Sequence, residues 1–559
     1  MNPALFFEPD GYLLTGPKLM GRQVAGNGFL RAAVLGRAPG PLPAYTPSSA
    51  SAEAFRGAVA QIDPTAETTW IPGSRLDLLA QAGILYRPDQ NLGPMARQRL
   101  RVGPAAYSLT GVTHTLSTPF TLDALAKTLV DPLMPWDALV CTSRAARAVV
   151  ETVLEQQAAY QRWRTGQEVA IQSPLFPVIP LGVHSGDFAF TADDRAAARV
   201  RLGLAADEVA ALFAGRLSVS GKTHPHAMFL ALQRAAQTTG RKVVLVVAGQ
   251  AATPGMDGLF RSGLTAFCPE VRPLFVDGAD AAAYRGAWAG ADLFISLADT
   301  IQETFGITPA EAMAAGLPAV VSDWNGYRDT VRDGIDGFRI ATWAPPAGAG
   351  EAIARDFEAG ALRYEQYLSR SNTAVTVDMG QLTARLTALV ADEALRRRMG
   401  AAGRARVASD LDWSVVYRSY QALWAEQTAI RERANADPAT ARWLAQAPRS
   451  GADHAGPFDT FASYPTRHVG PRTLVTDISG VTPQAYRQLV AHELLALWPV
   501  HPQLADRLFG ALTDGPMRVE DLAHDCELTF AQAAEVVARL AKIDLVSLSS
   551  ATGDAADTE

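Results

Sequence analysis

The stretch Gln302–Gly316, Q-E-T-F-G-I-T-P-A-E-A-M-A-A-G, decides how this chain is read. It follows an apolar run, Ala291 to Leu297, that reads as a buried strand. Thr308-Pro309 predicts a helix start, because Thr is a good N-cap and Pro is tolerated at the first helical position. Gly316-Leu317-Pro318 predicts its end. One acid, Glu303, then stands on the loop at a strand's carboxyl end, and a second, Glu311, in the first turn of the next helix. In open parallel α/β sheets that crevice is where ligands bind. A helix N-terminus also offers N–H groups and a positive dipole end to an anion. Thr308-x-x-Glu311 equally fits a capping box, in which Glu311 only ties down N–H groups. That reading leaves Glu303 and the bare backbone of Phe305-Gly306-Ile307 unexplained.

On either side of this stretch, strands alternate with helices. Strands are expected near 209–214, 242–248, 291–297, 318–322 and 337–341, with helices near 225–238, 281–289, 308–315 and 326–332. That alternation predicts a parallel, doubly wound sheet. The first of these strands runs into Phe213-Ala-Gly-Arg216-Leu-Ser and Val-Ser-Gly-Lys222-Thr-His-Pro-His226. An Arg and a Lys beside a helix N-terminus can neutralise a diphosphate, one as a planar fork and the other as a point charge. Taken singly, each also reads as exposed loop charge. His224-Pro-His226 has no further ligand at metal-binding spacing, and Pro225 at a helix start explains it without a metal. Asp410-Leu-Asp412 precedes a helical pattern and reads as helix-start chemistry.

The spacing E-x(7)-E of Glu303 and Glu311, followed by A-M-A-A-G-L-P-A-V-V-S-D, resembles the donor-binding segment of the retaining GT-B glycosyltransferases of family four. The resemblance covers residues 105–430 well, and 1–104 only at Gly21–Gly28. It implies two Rossmann-like, doubly wound domains facing a cleft. It also implies transfer of a sugar from a UDP- or GDP-linked donor, a co-substrate, with no cofactor and no metal. Glu303 would meet the sugar hydroxyls and Glu311 the ribose. The backbone of Phe305, Gly306, Ile307 and Thr308 would meet sugar and diphosphate. Arg216 and Lys222 would grip the diphosphate, although Lys222 follows Arg216 by six residues where the family has five. Val178-Ile-Pro-Leu-Gly-Val-His184 resembles the family's interdomain crossing, with Leu181 and His184 in place of its Asn and Asp.

In the first domain, Leu19 to Arg31 carries glycines at 21, 26 and 28 ahead of a helical pattern. A glycine-rich loop brings backbone close to a ligand, and it also makes a plain turn. The resemblance implies a donor-facing role for Gly21, Arg22 and Gly26. Tyr107 to Ser117 reads as a strand ending at His114, a residue more often satisfied than catalytic; the resemblance implies that His114 lies near the anomeric centre. Arg97, Arg99 and Arg101 fall at every second position and read as a solvated face. Such a cluster can also approach an acidic acceptor or an anionic membrane surface.

The domains expected are 1–185 on the acceptor side and 186–394 on the donor side. Helices at 395–435 would cross back to the first domain. A linker at 436–482, a helical, winged-helix-like module at 483–548 and a disordered tail at 549–559 would complete the chain. At 559 residues the chain is too long for one core. Net charge is −7, and residues 501–559 hold four Lys and Arg against eleven Asp and Glu. That acidic end suits a protein contact or dimerisation surface and opposes nucleic acid. Three scattered cysteines and no signal-peptide pattern lead to the expectation of a cytoplasmic protein. The acceptor is open: a glycan, a lipid-linked or a small molecule. The alternative is a non-catalytic nucleotide-sugar-binding regulator or scaffold that signals through the C-terminal module.

Overall fold

Short apolar runs in the first 140 residues form six parallel strands: β1 (Ala4–Phe6), β2 (Leu42–Thr46), β3 (Thr68–Pro72), β4 (Ile84–Tyr86), β5 (Ser108–Val112) and β6 (Ala138–Val140). They lie in the order β3-β2-β1-β4-β5-β6. The structure is a computed structural model that describes residues 2–14, 21–167, 172–251, 253–480, 482–495 and 500–550. The second half repeats the pattern with β7 (Glu208–Ala214), β8 (Lys242–Gly249), β9 (Arg272–Asp277), β10 (Leu293–Ser296), β11 (Ala319–Ser322) and β12 (Gly337–Ile340). Their order is β12-β11-β10-β7-β8-β9. Strand order reverses between β1 and β4, and again between β7 and β10, which opens a crevice at the carboxyl end of each sheet. Strands β5 and β7 are buried on both faces, as sheets covered on each side by helices require.

Four helices carry or border the candidate site: α1 (Gly21–Leu35), α2 (Arg144–Thr165), α3 (His226–Thr239) and α4 (Ile307–Ala314). A fifth, α5 (Trp413–Ala436), returns from the second domain to the first. Trp413 of α5 is buried where a Cβ on Gly28 or Gly182 would stand 2.4 or 2.6 Å from its indole. Asp412 caps α5, accepting from Ser414 N at 2.8 Å, as expected of a helix start. Gln427 is fully buried, accepts from Thr110 Oγ1 at 2.8 Å and donates to the carbonyls of Leu109 and Trp136 at 2.8 and 3.0 Å. Arg431 donates to Ser108 Oγ at 2.8 Å and to the Gly83 carbonyl. The two doubly wound domains and the helix that ties them form one compact unit, Met1–Asp453, with the GT-B architecture.

The second unit, His454–Glu559, holds an antiparallel sheet of β13 (Leu474–Asp477), β14 (Met517–Arg518) and β15 (Val546–Ser549), in the order β14-β13-β15. Around it lie α6 (Pro483–Val490), α7 (Pro502–Ala511), α8 (Val519–Asp525) and α9 (Phe530–Lys542). The run from α7 to β15 has winged-helix order, with β13 entering from upstream to complete the sheet. Tyr486, Leu508, Val537 and Leu540 fill its separate core.

Four expectations are corrected. Residues 21–28 are the first two turns of α1, not a loop, while Leu19 and Met20 lie outside the described residues. A Cβ on Gly26 would stand 1.9 Å from the Gly11 carbonyl, so this glycine lets α1 touch the short helix Pro9–Tyr12. The basic run is not a solvated face throughout. Arg99 is fully buried against an equally buried Asp137, with Nη1–Oδ1 at 2.6 Å. The expected linker 436–482 contains the helix Pro438–Leu444 and strand β13. Ser549, expected to open the tail, ends strand β15, and the tail beyond residue 550 lies outside the described residues.

Candidate active site

Lys222 and Glu303 meet where the carboxyl ends of β7 and β10 diverge. Their Nζ–Oε2 distance is 2.7 Å, and their side chains are 14% and 18% exposed. Burial pushes Glu303 up, but the charge and hydrogen bond of Lys222 outweigh it and hold the carboxyl below its ordinary value. Lys222 is the mirror case: burial works against its charge, and Glu303 with the Tyr327 hydroxyl raises it above the ordinary lysine range. Both groups are therefore ionised at neutral pH. Arg216 is exposed, and its Nη2 donates to Gln302 Oε1 at 3.3 Å. The longer spacing from Arg216 to Lys222 thus still delivers both cations beside the 302–303 loop.

That loop is clamped from beneath. Asn325 adopts a left-handed conformation, φ 36°, and its Nδ2 donates to the Glu303 carbonyl at 2.8 Å. A Cβ on Gly326 would stand 2.4 Å from Phe305 Cα, and one on Gly306 1.9 Å from the Tyr327 ring. Gly306 also has φ 76°, a conformation that favours glycine. The Tyr327 hydroxyl is 2.8 Å from Ser296 Oγ. The D-W-N-G-Y run at 323–327 carried this clamp in the sequence, but as contacts with the loop it was not foreseen.

Helix α4 begins at Ile307, with Gly306 as N-cap and no side-chain cap. Thr308 is inside the helix, and its buried hydroxyl has no partner. The capping-box reading of Thr308 and Glu311 therefore fails, and so does Thr308 as N-cap. Glu311 is left half-buried, pushed up to about 7 by burial while Lys222 pulls the other way. A second acid joins it that the sequence did not single out. Asp299, 8% exposed, accepts from His224 N at 3.2 Å, its other oxygen has no partner, and burial raises it to about 7.

His114 follows β5, its Nε2–H donating to the Pro88 carbonyl at 2.9 Å. Burial lowers its pKa, the Pro88 bond and Asp89 oppose this, and the Arg22 charge lowers it further, so the ring is neutral with Nδ1 free to accept. Arg22, in the first turn of α1, pairs with Asp10. Gly21 starts that helix, with nothing within 4 Å of a Cβ placed there. His114 and Glu303 belong to different domains, and hydrogen bonds between their sequence neighbours connect the two segments. Thr113, beside His114, accepts from Thr142 N at 3.1 Å; Ser143, beside Thr142, donates to the Thr304 carbonyl at 2.7 Å. Among the described residues, no three His, Cys, Asp or Glu stand close enough to hold a metal ion, and no helix is long and apolar enough to cross a membrane.

Residues 194–355, which include Arg216, Lys222, Glu303 and Glu311, match the family described as glycosyl transferases group 1. The match lies within the second domain. A D-inositol 3-phosphate glycosyltransferase of Actinosynnema mirum is 35% identical over 171 residues, 29% of this chain and 39% of that protein. One from a Nocardioides species is 29% identical over 208 residues, 34% of this chain and 41% of that protein. The chain thus spans about two fifths of the length of these curated relatives. The solved structure of Anabaena Alr3699/HepE in complex with UDP aligns with 76% of this chain and 100% of that one, at 15% identity and a TM-score of 0.49.

Proposed function

We propose that the protein transfers a sugar, with retention and without a metal ion, from a UDP- or GDP-linked donor to a glycan, lipid-linked or small-molecule acceptor. The observation that carries this is the Lys222–Glu303 pair at the switch point of the second sheet, beside a helix start that no side chain caps. A diphosphate entering there would meet Lys222, Arg216 and the N-terminus of α4, preorganised positive charge that stabilises the departing nucleoside diphosphate as it forms. Lys222 would turn from Glu303 to phosphate, leaving the carboxylate to accept from sugar hydroxyls. Glu311, unoccupied by capping, would take the ribose hydroxyls. His114, neutral and with Nδ1 free, would sit over the anomeric side from the opposite domain. No carboxylate is assigned as nucleophile. Closure of the domains excludes water and favours transfer over hydrolysis.

A thermal-shift panel of UDP- and GDP-sugars and the free diphosphates tests the reading, because a ligand of the folded state raises the melting temperature by mass action. One nucleotide should shift the wild type and leave Glu311→Ala unmoved. No shift with any donor would overturn the reading. A donor that binds but is neither transferred nor hydrolysed would favour the non-catalytic alternative.

A further inference from the structure

The N-terminus of α2, in the first domain, meets the donor loop of the second. Ser143 caps its own helix, accepting from Ala146 N at 3.0 Å, and the same hydroxyl donates to the Thr304 carbonyl. The next residue, Arg144, donates its backbone N–H to Asp329 Oδ2 and its Nε to Oδ1, both at 2.7 Å. An acid of one domain thus occupies the positive end of a 22-residue helix of the other. Asp329 is 19% exposed and Arg144 77%. None of the three is among the donor-contacting residues, but what they hold is. Thr304 follows Glu303. Asp329 lies in the short helix Tyr327–Thr330, whose tyrosine backs Gly306 and reaches Lys222.

We propose that Ser143, Arg144 and Asp329 are positioning residues that form a latch, so that closing the domains and setting the backbone beside Glu303 are one event. This rests on the donor-site reading above. A partly exposed ion pair is weak and screened by salt. That suits a contact that must break for product to leave. The hydroxyl-to-carbonyl bond adds direction, since it fixes the peptide next to the sugar-contacting acid.

The test uses the full chain with spin labels on cysteines introduced at the exposed Gln156 and Glu358, one in each domain; the three native cysteines are buried. Pulsed dipolar spectroscopy should give a narrow interdomain distance for wild type. Arg144→Ala, whose side chain is outside the core, and Asp329→Asn should each broaden and lengthen it, as should about 0.5 M salt on wild type but not on the variants. Dissociation constants for UDP should weaken about fivefold or more in both variants, within the usual span of coupling between sites. Arg144→Lys, which keeps the charge, should recover part of the loss. Variant distances that match wild type would overturn the latch, and opened distances with unchanged UDP affinity would overturn its positioning role. A wild type that binds no nucleotide would sink the donor-site reading instead, and the distance comparison alone would then decide the latch.

Discussion

Glu311 shows how one residue links stability to binding. Its carboxyl stands at about 7 in the folded chain against an ordinary 4.5. Between those values the folded state holds a proton that the unfolded chain has released, so its stabilising contribution is full below pH 4.5 and is lost as pH rises through 7. Asp299, raised to about 7 from 3.8, acts with the same sign. Glu303, held below its ordinary value, acts oppositely and loses its contribution as pH falls. Glu311→Gln should therefore melt like wild type near pH 5 and be more stable by roughly 1–3 kcal/mol near pH 8. In the proposed role of Glu311, ribose hydroxyls would donate better to the ionised carboxylate. Nucleotide affinity should then rise from about pH 6 to about pH 8 in wild type and stay flat in Glu311→Gln, a comparison calorimetry can make. The positions of Arg216, Lys222 and Glu303 beyond the carboxyl ends of β7 and β10 were legible because apolar runs mark those strands. Asp299 was not: an acid just beyond a strand carries no signal until burial orphans one of its oxygens.

At the scale of elements, the 302–306 loop depends on glycine where it crosses Tyr327. Gly306→Ala would put a Cβ 1.9 Å from that ring at φ 76°. It should cost on the order of 1–3 kcal/mol in a denaturant titration and lower donor affinity, because loop and helix start would shift together. The strands and helices of the second domain were largely legible, since apolar runs alternate there with helical periods. The helix Pro254–Phe267 and strand β9 were not foreseen. Pro273 breaks the strand signal of β9, and it is tolerated because β9 is at the sheet's edge. The start of α4 was misplaced onto Thr308 because Thr-Pro is a strong local signal. The glycine's left-handed turn won, and it leaves that threonine's hydroxyl inside the helix. Gly21–Gly28 misled for a related reason: glycine marks close approach as readily as a loop, and Gly26 and Gly28 make room for a carbonyl and an indole.

Across the whole molecule, buried polar groups do the tying. Asp137 accepts two hydrogen bonds from Arg99, at 2.6 and 2.7 Å, and one each from Leu109 N and Met134 N. Removing one partner of such a pair leaves an uncompensated buried charge. Asp137→Ala should cost about 3–5 kcal/mol, read as a lowered denaturation midpoint, with the second unit's separate core melting unchanged. Composition could not show this, because an alternating arginine run looks the same whether it faces water or an aspartate 38 residues away. The two-domain plan was legible, but the partition after residue 436 was not, since short helices and a lone strand hide in Ala-, Pro- and Gly-rich sequence.

The bonds that α5 makes to β5 also set a timetable. Ser108 waits for Arg431, which is 323 residues downstream, and Thr110 for Gln427. At about 5–20 residues per second a ribosome needs roughly 15–65 s to cover that distance. Through that interval strand β5 carries two hydroxyls, of Ser108 and Thr110, and the Leu109 carbonyl meant for groups not yet made. The first domain, begun before the second, is therefore completed after it.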